Sequence, residues 1–232
     1  MTTAIILAGG LGTRLRKSVP DLPKPMAPIN NRPFLEYQME YWGRQGVDRF
    51  ILSVGYRHRA IIDHFGKAYQ GFPIHYAVEQ TPLGTGGGLF LAAAGLTGSF
   101  LVLNGDTFFE VNLEELKSFH AEYESEWTFA LFRTSEMGRY MGMEVADNGR
   151  ILSLQSGTAR PSRLANGGAY LVEPSVLNSF DKEADKKYSL EDDILSSIFV
   201  QGRRLYGVEQ SGPFVDIGVP EDYLRAAKVL RQ

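Results

Sequence analysis

The chain has 232 residues, 44% hydrophobic and 22% charged, with 24 Lys and Arg against 27 Asp and Glu for a formal charge of −3. That is ample chain for a core, and the near balance of charge argues against disorder and against nucleic acid as a main partner. The absence of cysteine excludes a disulfide scaffold, thiolate metal sites and a cysteine nucleophile, so any metal must sit on oxygen or on the four histidines.

The N-terminal run Met1 to Leu7 lacks a basic flank and meets Gly9 too soon for a leader or a membrane span, so a cytoplasmic protein with no membrane partner is expected. Ala4 to Ala8, Phe50 to Val54, Ile74 to Val78 and Phe100 to Asn104 read as buried strands. Helices are expected between them. Pro33 opens the first and Gly46 follows its end, with Phe34, Leu35, Met39 and Trp42 at helical spacing. His58 to Phe65, closed by Gly66, forms the second, and the small apolar run Gly86 to Ala94 the third. Asn112 and Glu115 have the form of an N-cap and reciprocal acid for a fourth helix reaching about Glu124.

After Trp127 the pattern changes to short strands, Trp127 to Arg133, Met143 to Ala146, Ile151 to Leu154 and Ala169 to Glu173, separated by the turn signals Asp147-Asn148-Gly149 and Asn166-Gly167-Gly168. Helices return over Glu191 to Val200 and, behind Pro220, Glu221 to Leu230. The pattern predicts an α/β fold: a doubly wound, mostly parallel, Rossmann-like sheet with a smaller mixed or antiparallel region, all one domain over 1–232.

The first strand runs into Ala8-Gly9-Gly10-Leu11-Gly12-Thr13-Arg14-Leu15-Arg16, at the carboxyl end where open α/β sheets bind ligands. A ligand-free tight turn uses the same glycines. A nucleotide-hydrolase phosphate loop needs Gly-Lys-Ser/Thr, and Gly12 is followed by Thr13-Arg14 instead. A dinucleotide fingerprint needs a long helix next and an acid after the second strand; Pro20, Pro23, Pro25 and Pro28 break the helix, and the strand ends in Val54-Gly55-Tyr56. What remains is an extended, proline-stiffened loop whose Arg14, Arg16, Lys17 and Lys24 suit a phosphate clamp, with Arg14 and Lys24 expected to face solvent.

Gly9-Gly10-Leu11-Gly12-Thr13-Arg14-Leu15 followed by Pro23-Lys24-Pro25 resembles the signature of the sugar-phosphate nucleotidyltransferases, and the likeness spans nearly the whole chain. The string from Arg16 to Pro28 is most similar to the branch that guanylylates D-glycero-D-manno-heptose 1-phosphate, with mannose 1-phosphate guanylyltransferases as near relatives. The resemblance implies GTP and a sugar 1-phosphate as partners, GDP-heptose and pyrophosphate as products, and a nucleotide-diphospho-sugar transferase fold. In it 1–126 would mainly bind nucleotide, 127–212 would bind sugar, and 213–232 would return a metal-ligand strand and a last helix. It leaves a homo-oligomer open.

By the same resemblance Arg14, Lys24 and Asp106 are catalytic. Ala8, Gly9, Gly10, Gly12, Thr13, Arg14 and Lys24 meet the phosphates, while Glu79, Gly84 and Thr85 meet the base, against which the glycines of 84–88 would let a flat ring lie. Asn104, Gly142, Asn166, Gly168 and Glu191 meet the sugar. Asp106 and Asp216 hold Mg²⁺; both end apolar runs, Leu101 to Asp106 and Pro213 to Gly218, and are expected on one edge of the same sheet. Oxygen-only donors suit Mg²⁺, although each acid alone also reads as a turn or helix cap. A carboxylate at Glu79 accepts from guanine N1–H and the exocyclic amine, a pairing that uracil does not offer.

One departure stands out. Many relatives carry Glu-Lys-Pro after the strand at Ile151 to Leu154, with its Lys on the sugar phosphate; here Gln155-Ser156-Gly157 follows, leaving Arg160 or Arg163 to substitute. His58, His64, His75 and His120 share no metal-binding spacing and read as packed or solvated. A uridylyl- or cytidylyltransferase for another sugar phosphate, and a non-catalytic sugar-nucleotide regulatory subunit, are the alternative readings.

Overall fold

In the strand β1 (Thr3–Leu7), Ala4 and Ile6 face one side of the sheet and Ile5 the other, and all three are fully buried. A strand covered by helices on both faces has no solvent side, which is why these runs are apolar throughout rather than alternating. The computed structural model describes residues 1–10, 22–136, 139–156, 163–183, 186–218 and 220–230.

A one-turn helix at Lys24–Met26 leads into a small hairpin, β2 (Pro28–Ile29) and β3 (Arg32–Pro33), and then into α1 (Phe34–Arg44). β4 (Arg49–Val54), α2 (His58–Phe65), β5 (Ala68–Tyr69), β6 (Phe72–Val78), α3 (Gly84–Ala92) and β7 (Phe100–Asn104) follow. α3 thus begins two residues before the expected Gly86. Next come β8 (Thr107–Phe109) and α4 (Leu113–Glu122), whose expected N-cap is in place, the Asn112 side chain accepting from Glu115 N–H at 3.1 Å, while Asn112 N–H donates to Gln210 Oε1 at 2.9 Å rather than to the expected Glu115.

The second half contains β9 (Trp127–Thr134), β10 (Met141–Val145), β11 (Ile151–Ser156), β12 (Arg163–Val172) and α5 (Pro174–Asn178). A π-helical turn at Leu190–Leu195 continues into α6 (Ser196–Val200) and is followed by β13 (Leu205–Glu209), β14 (Phe214–Asp216) and α7 (Pro220–Val229).

The main sheet runs β11-β10-β12-β7-β1-β4-β6-β5, with β9 on β12 and β13 on β9. Its centre, β7-β1-β4-β6, is parallel, and β12 joins it antiparallel to β7. The mostly parallel core with an antiparallel wing matches the expected class. One core packs α1, α2 and α4 on one face; a second packs α3, the π-turn and α6 on the other, around the fully buried Trp127, Phe129 and Tyr170. Each such side chain removed from water contributes roughly 1.5–3 kcal/mol.

Asn166-Gly167-Gly168 is not the turn its composition suggests. It lies within β12, where the pairing with β9 steps from Asn166↔Leu131 to Tyr170↔Phe129. Gly168, at φ 71°, makes a bulge, and a Cβ there would come within 2.8 Å of Asn104 Nδ2 and Thr107 Oγ1. Turn-forming residues here let a long strand pass closely over the end of β7.

His120 is buried between α4 and the sheet, its Nδ1 2.7 Å from Thr128 Oγ1 and its Nε2 3.1 Å from Glu173. Burial lowers its pKa below the ordinary 6.5, outweighing the pull of the more exposed Glu173. Below pH 6.5 the unfolded chain takes a proton that the fold refuses, so stability that is fully present above that pH is lost as the pH falls toward the lower value held in the fold. Denaturant midpoints measured across this range should fall more steeply for the wild type than for His120→Asn; parallel curves would contradict the burial argument.

Candidate active site

The strands β1, β4, β6 and β7 all end at one edge of the sheet, and beyond it lies a cavity of about 490 Å³. Ala8, Gly9, Gly10, Lys24, Glu79, Gly84, Thr85, Asn104, Asp106 and Glu191 line it, so the structure brings together most of the residues that the sequence points to. Gly12, Thr13, Arg14 and Arg160 lie outside the described residues.

Lys24 sits at the head of its one-turn helix, whose Ala27 N–H returns to Lys24 C=O at 3.0 Å. The following prolines and buried Met26 set its direction, and that direction is inward. Its side chain is only 10% exposed, correcting the expectation that it faces solvent. The ammonium forms a close ion pair with Asp106 and lies 3.9 Å from Asp216 Oδ1.

The two acids do not share a sheet, which is a second correction. Asp106 is in the turn after β7, whereas Asp216 ends β14, which pairs with β8 in a separate two-stranded ribbon. Because β8 leaves directly from the Asp106 turn, its pairing of Thr107 with Asp216 brings the acids to one cation, and Ile217 N–H donates to Asp106 C=O at 3.0 Å. Burial, then the neighbouring Asp106 charge, pushes Asp216 above the ordinary carboxyl value, opposed by Lys24 and by the Gly218 N–H bond at 2.6 Å. The pair needs a cation. Among the described residues no third His, Asp or Glu completes a metal cluster. Two carboxylates alone suit a hard divalent ion whose remaining ligands are water and phosphate oxygen.

Glu79 follows β6. Its Oε2 accepts from Leu83 N–H at 2.9 Å, and its other oxygen lies where a Cβ on Gly9 or Gly88 would crowd it. Burial raises its pKa, and the Leu83 bond opposes this. Gly84 and Gly88 line the cavity, and the glycines of this segment also serve packing. Gly84, at φ 77°, and Gly86 let the chain at Tyr188 and Ser189 pack directly on α3, with Gly86 N–H donating to Tyr188 C=O at 2.8 Å. Thr85 Oγ1 likewise accepts from Leu190 N–H at 2.8 Å. This docking carries Glu191, whose carboxyl is raised by burial, and Lys187 into the cavity wall.

Asn166 donates to Tyr170 OH at 2.8 Å and Gly168 lies against Asn104, close behind the wall; Gly142 stands apart. Buried Arg163 covers Gly142 and donates to Tyr140 C=O at 3.0 Å, which makes it a packing residue and removes it as a sugar-phosphate ligand. Sequence reading missed Lys187, Ser53 and Pro82 in the lining; the pair Lys186-Lys187 ahead of Ser189-Leu190-Glu191 was the available signal for the first.

Residues 3–232 match the family model described as nucleotidyl transferase. The chain is 40% identical over 229 residues to the D-glycero-alpha-D-manno-heptose 1-phosphate guanylyltransferase of Aneurinibacillus thermoaerophilus, covering 98% of each. It is 38% identical to the protein of the same description from Campylobacter jejuni over 95% of this chain and 96% of that one. The crystal structure of HddC from Yersinia pseudotuberculosis complexed with GMP-PN superposes with a TM-score of 0.84 at 31% identity, over the full length of both chains.

Removing the ammonium in Lys24→Met leaves Asp106 and Asp216 facing each other. Because the Asp106 side chain is 36% exposed, the expected loss is modest, about 1–2 kcal/mol. Adding a divalent salt should raise the melting temperature of Lys24→Met more than that of the wild type. Equal responses would show that the acids do not share a cation.

Proposed function

The chain belongs to the nucleotidyl transferase family, and we propose that it transfers the guanylyl group of GTP to D-glycero-α-D-manno-heptose 1-phosphate, giving GDP-heptose and pyrophosphate. The observation that carries this reading is the presence in one cavity of a half-buried carboxylate, Glu79, and of the Lys24–Asp106 pair with Asp216 behind it. The first offers two acceptors side by side, matching guanine N1–H and its amino group. The second is built for phosphate charge.

In this mechanism an oxygen of the sugar 1-phosphate attacks the α-phosphorus of GTP in line, one P–O bond forms, and the bond to the β-phosphate oxygen breaks. The electron pair leaves with pyrophosphate. The nucleophile is already an anion, so no general base is required and the work is positioning and charge neutralisation. Ala8, Gly9 and Gly10 border the phosphates, and Arg14 takes the leaving pyrophosphate. Asp106 and Asp216 would hold Mg²⁺, which when bound neutralises phosphoryl charge. Lys24, already between the acids, turns its ammonium toward the α- or sugar phosphate.

Asn104, Asn166 and Glu191 supply sugar hydroxyl contacts, with Gly168 giving room, while Gly142, covered by Arg163, has no part in the pocket. Lys187, in the same cavity wall as Glu191, takes the place of the missing Glu-Lys-Pro lysine. Among the described residues no helix is long and apolar enough to cross a membrane.

Pyrophosphate release from each of the four NTPs, with Mg²⁺ and either heptose or mannose 1-phosphate, tests the assignment: GTP with the heptose should react fastest. Glu79→Gln exchanges one acceptor for a donor and should lower kcat/KM for GTP between about tenfold and a hundredfold. Because burial raises the Glu79 carboxyl, guanine recognition should fail at a higher pH on acidification than an ordinary carboxylate would give, and Glu79→Gln should abolish that acid limb. Indifference to the base in the wild type would sink the guanylyl reading.

A further inference from the structure

Gln38 lies on α1, 2% exposed and outside every motif that the chemistry uses. Its Nε2 donates to two carbonyls, Asn104 at 2.8 Å and Thr107 at 2.5 Å. These carbonyls bracket Gly105 and Asp106, so one amide spans the turn that presents the acid. Both partners are acceptors, which fixes the amide orientation and leaves Oε1 buried with no hydrogen-bond partner among the described residues. An unpaired buried acceptor is unfavourable, and an apolar side chain of the same length would fill the space without it. Packing alone therefore does not explain a glutamine here.

The same helix also fixes Lys24. Phe34 N–H, at the start of α1, donates to Ala27 C=O at 3.0 Å, and Ala27 N–H donates to Lys24 C=O. α1 thus holds the cation through its first residue and the acid through Gln38, one turn later. The geometry points to Gln38 as a positioning residue that sets the Asp106 carboxylate against Lys24 and Asp216. It touches no substrate; it acts on the reaction by holding the Asn104–Thr107 turn in the position from which Asp106 reaches a divalent ion. The assignment rests on the proposed role of Asp106 as a metal ligand.

Gln38→Met removes the two donors and the orphan acceptor while keeping side-chain length. Gln38→Lys restores donors in reach of both carbonyls. Each is compared with the wild type by thermal melting, by kcat and KM for GTP, and by the uptake of Mn²⁺ by GTP-saturated enzyme without sugar phosphate, read from the EPR signal of free Mn²⁺. Gln38→Met should fold, hold KM for GTP within about twofold, and lose about tenfold or more in both kcat and Mn²⁺ affinity. Gln38→Lys should recover most of the Mn²⁺ affinity. Wild-type Mn²⁺ uptake in Gln38→Met, an equal loss in Gln38→Lys, or failure of Gln38→Met to fold each overturns the positioning role. A wild-type enzyme that neither turns over GTP nor takes up Mn²⁺ instead overturns the function on which the role depends.

Discussion

The ammonium of Lys24 between the carboxylates of Asp106 and Asp216 is the interaction around which the site is organised. Lys24 and Asp216 are largely withdrawn from water and are tolerated there because they face each other and the more exposed Asp106, so the three segments that carry these charges are placed with respect to one another. The tethers are of different kinds: a proline-flanked helical turn for Lys24, the end of a parallel strand for Asp106, and a two-stranded ribbon for Asp216. The ammonium and the two carboxylates thereby satisfy each other's charge.

The ribbon that delivers Asp216 is short and relies on aromatic packing. Phe214 stacks on Phe132 with ring centroids 4.0 Å apart and meets Phe109 and Tyr140 edge-on at 5.7 and 5.4 Å. Such contacts contribute about 0.5–1.5 kcal/mol each beyond the area they bury. Arg139 forms an ion pair with buried Asp222, tying the segment before β10 to α7. Residues far apart in the chain thus hold a three-residue strand that would not stand alone, and the position of Asp216 depends on an aromatic cluster outside the cavity.

The parallel centre is legible in the sequence because its two middle strands, β1 and β7, are buried on both faces and read as nearly unbroken apolar runs, as in Phe100 to Leu103. α2 over His58–Phe65 and the Asn112 cap of α4 are legible because Gly66 and the Asn112–Glu115 spacing are local signals. β13 is not, because Leu205–Glu209 contains a glycine and is too short to show a period. Asn166-Gly167-Gly168 reads as a turn because a bulge and a turn need the same residues, and only the approach of Asn104 distinguishes them. Lys24 reads as exposed because charge and flanking prolines describe stiffness and say nothing of direction.

Residue type and order alone determined the list of groups able to handle phosphate: a glycine-rich turn after the first strand, a proline-bounded lysine, and two acids each closing an apolar run. Each is a local feature, written within a few residues of chain. The structure decided which of them meet. The convergence of Asp216 on Asp106 through β8, the burial of Lys24, the use of the α3 glycines to dock Tyr188 to Leu190, and the grip of Gln38 on the Asp106 turn are contacts between segments tens to more than a hundred residues apart. Their geometry follows from sheet order and helix packing, which leave no periodic trace in the chain.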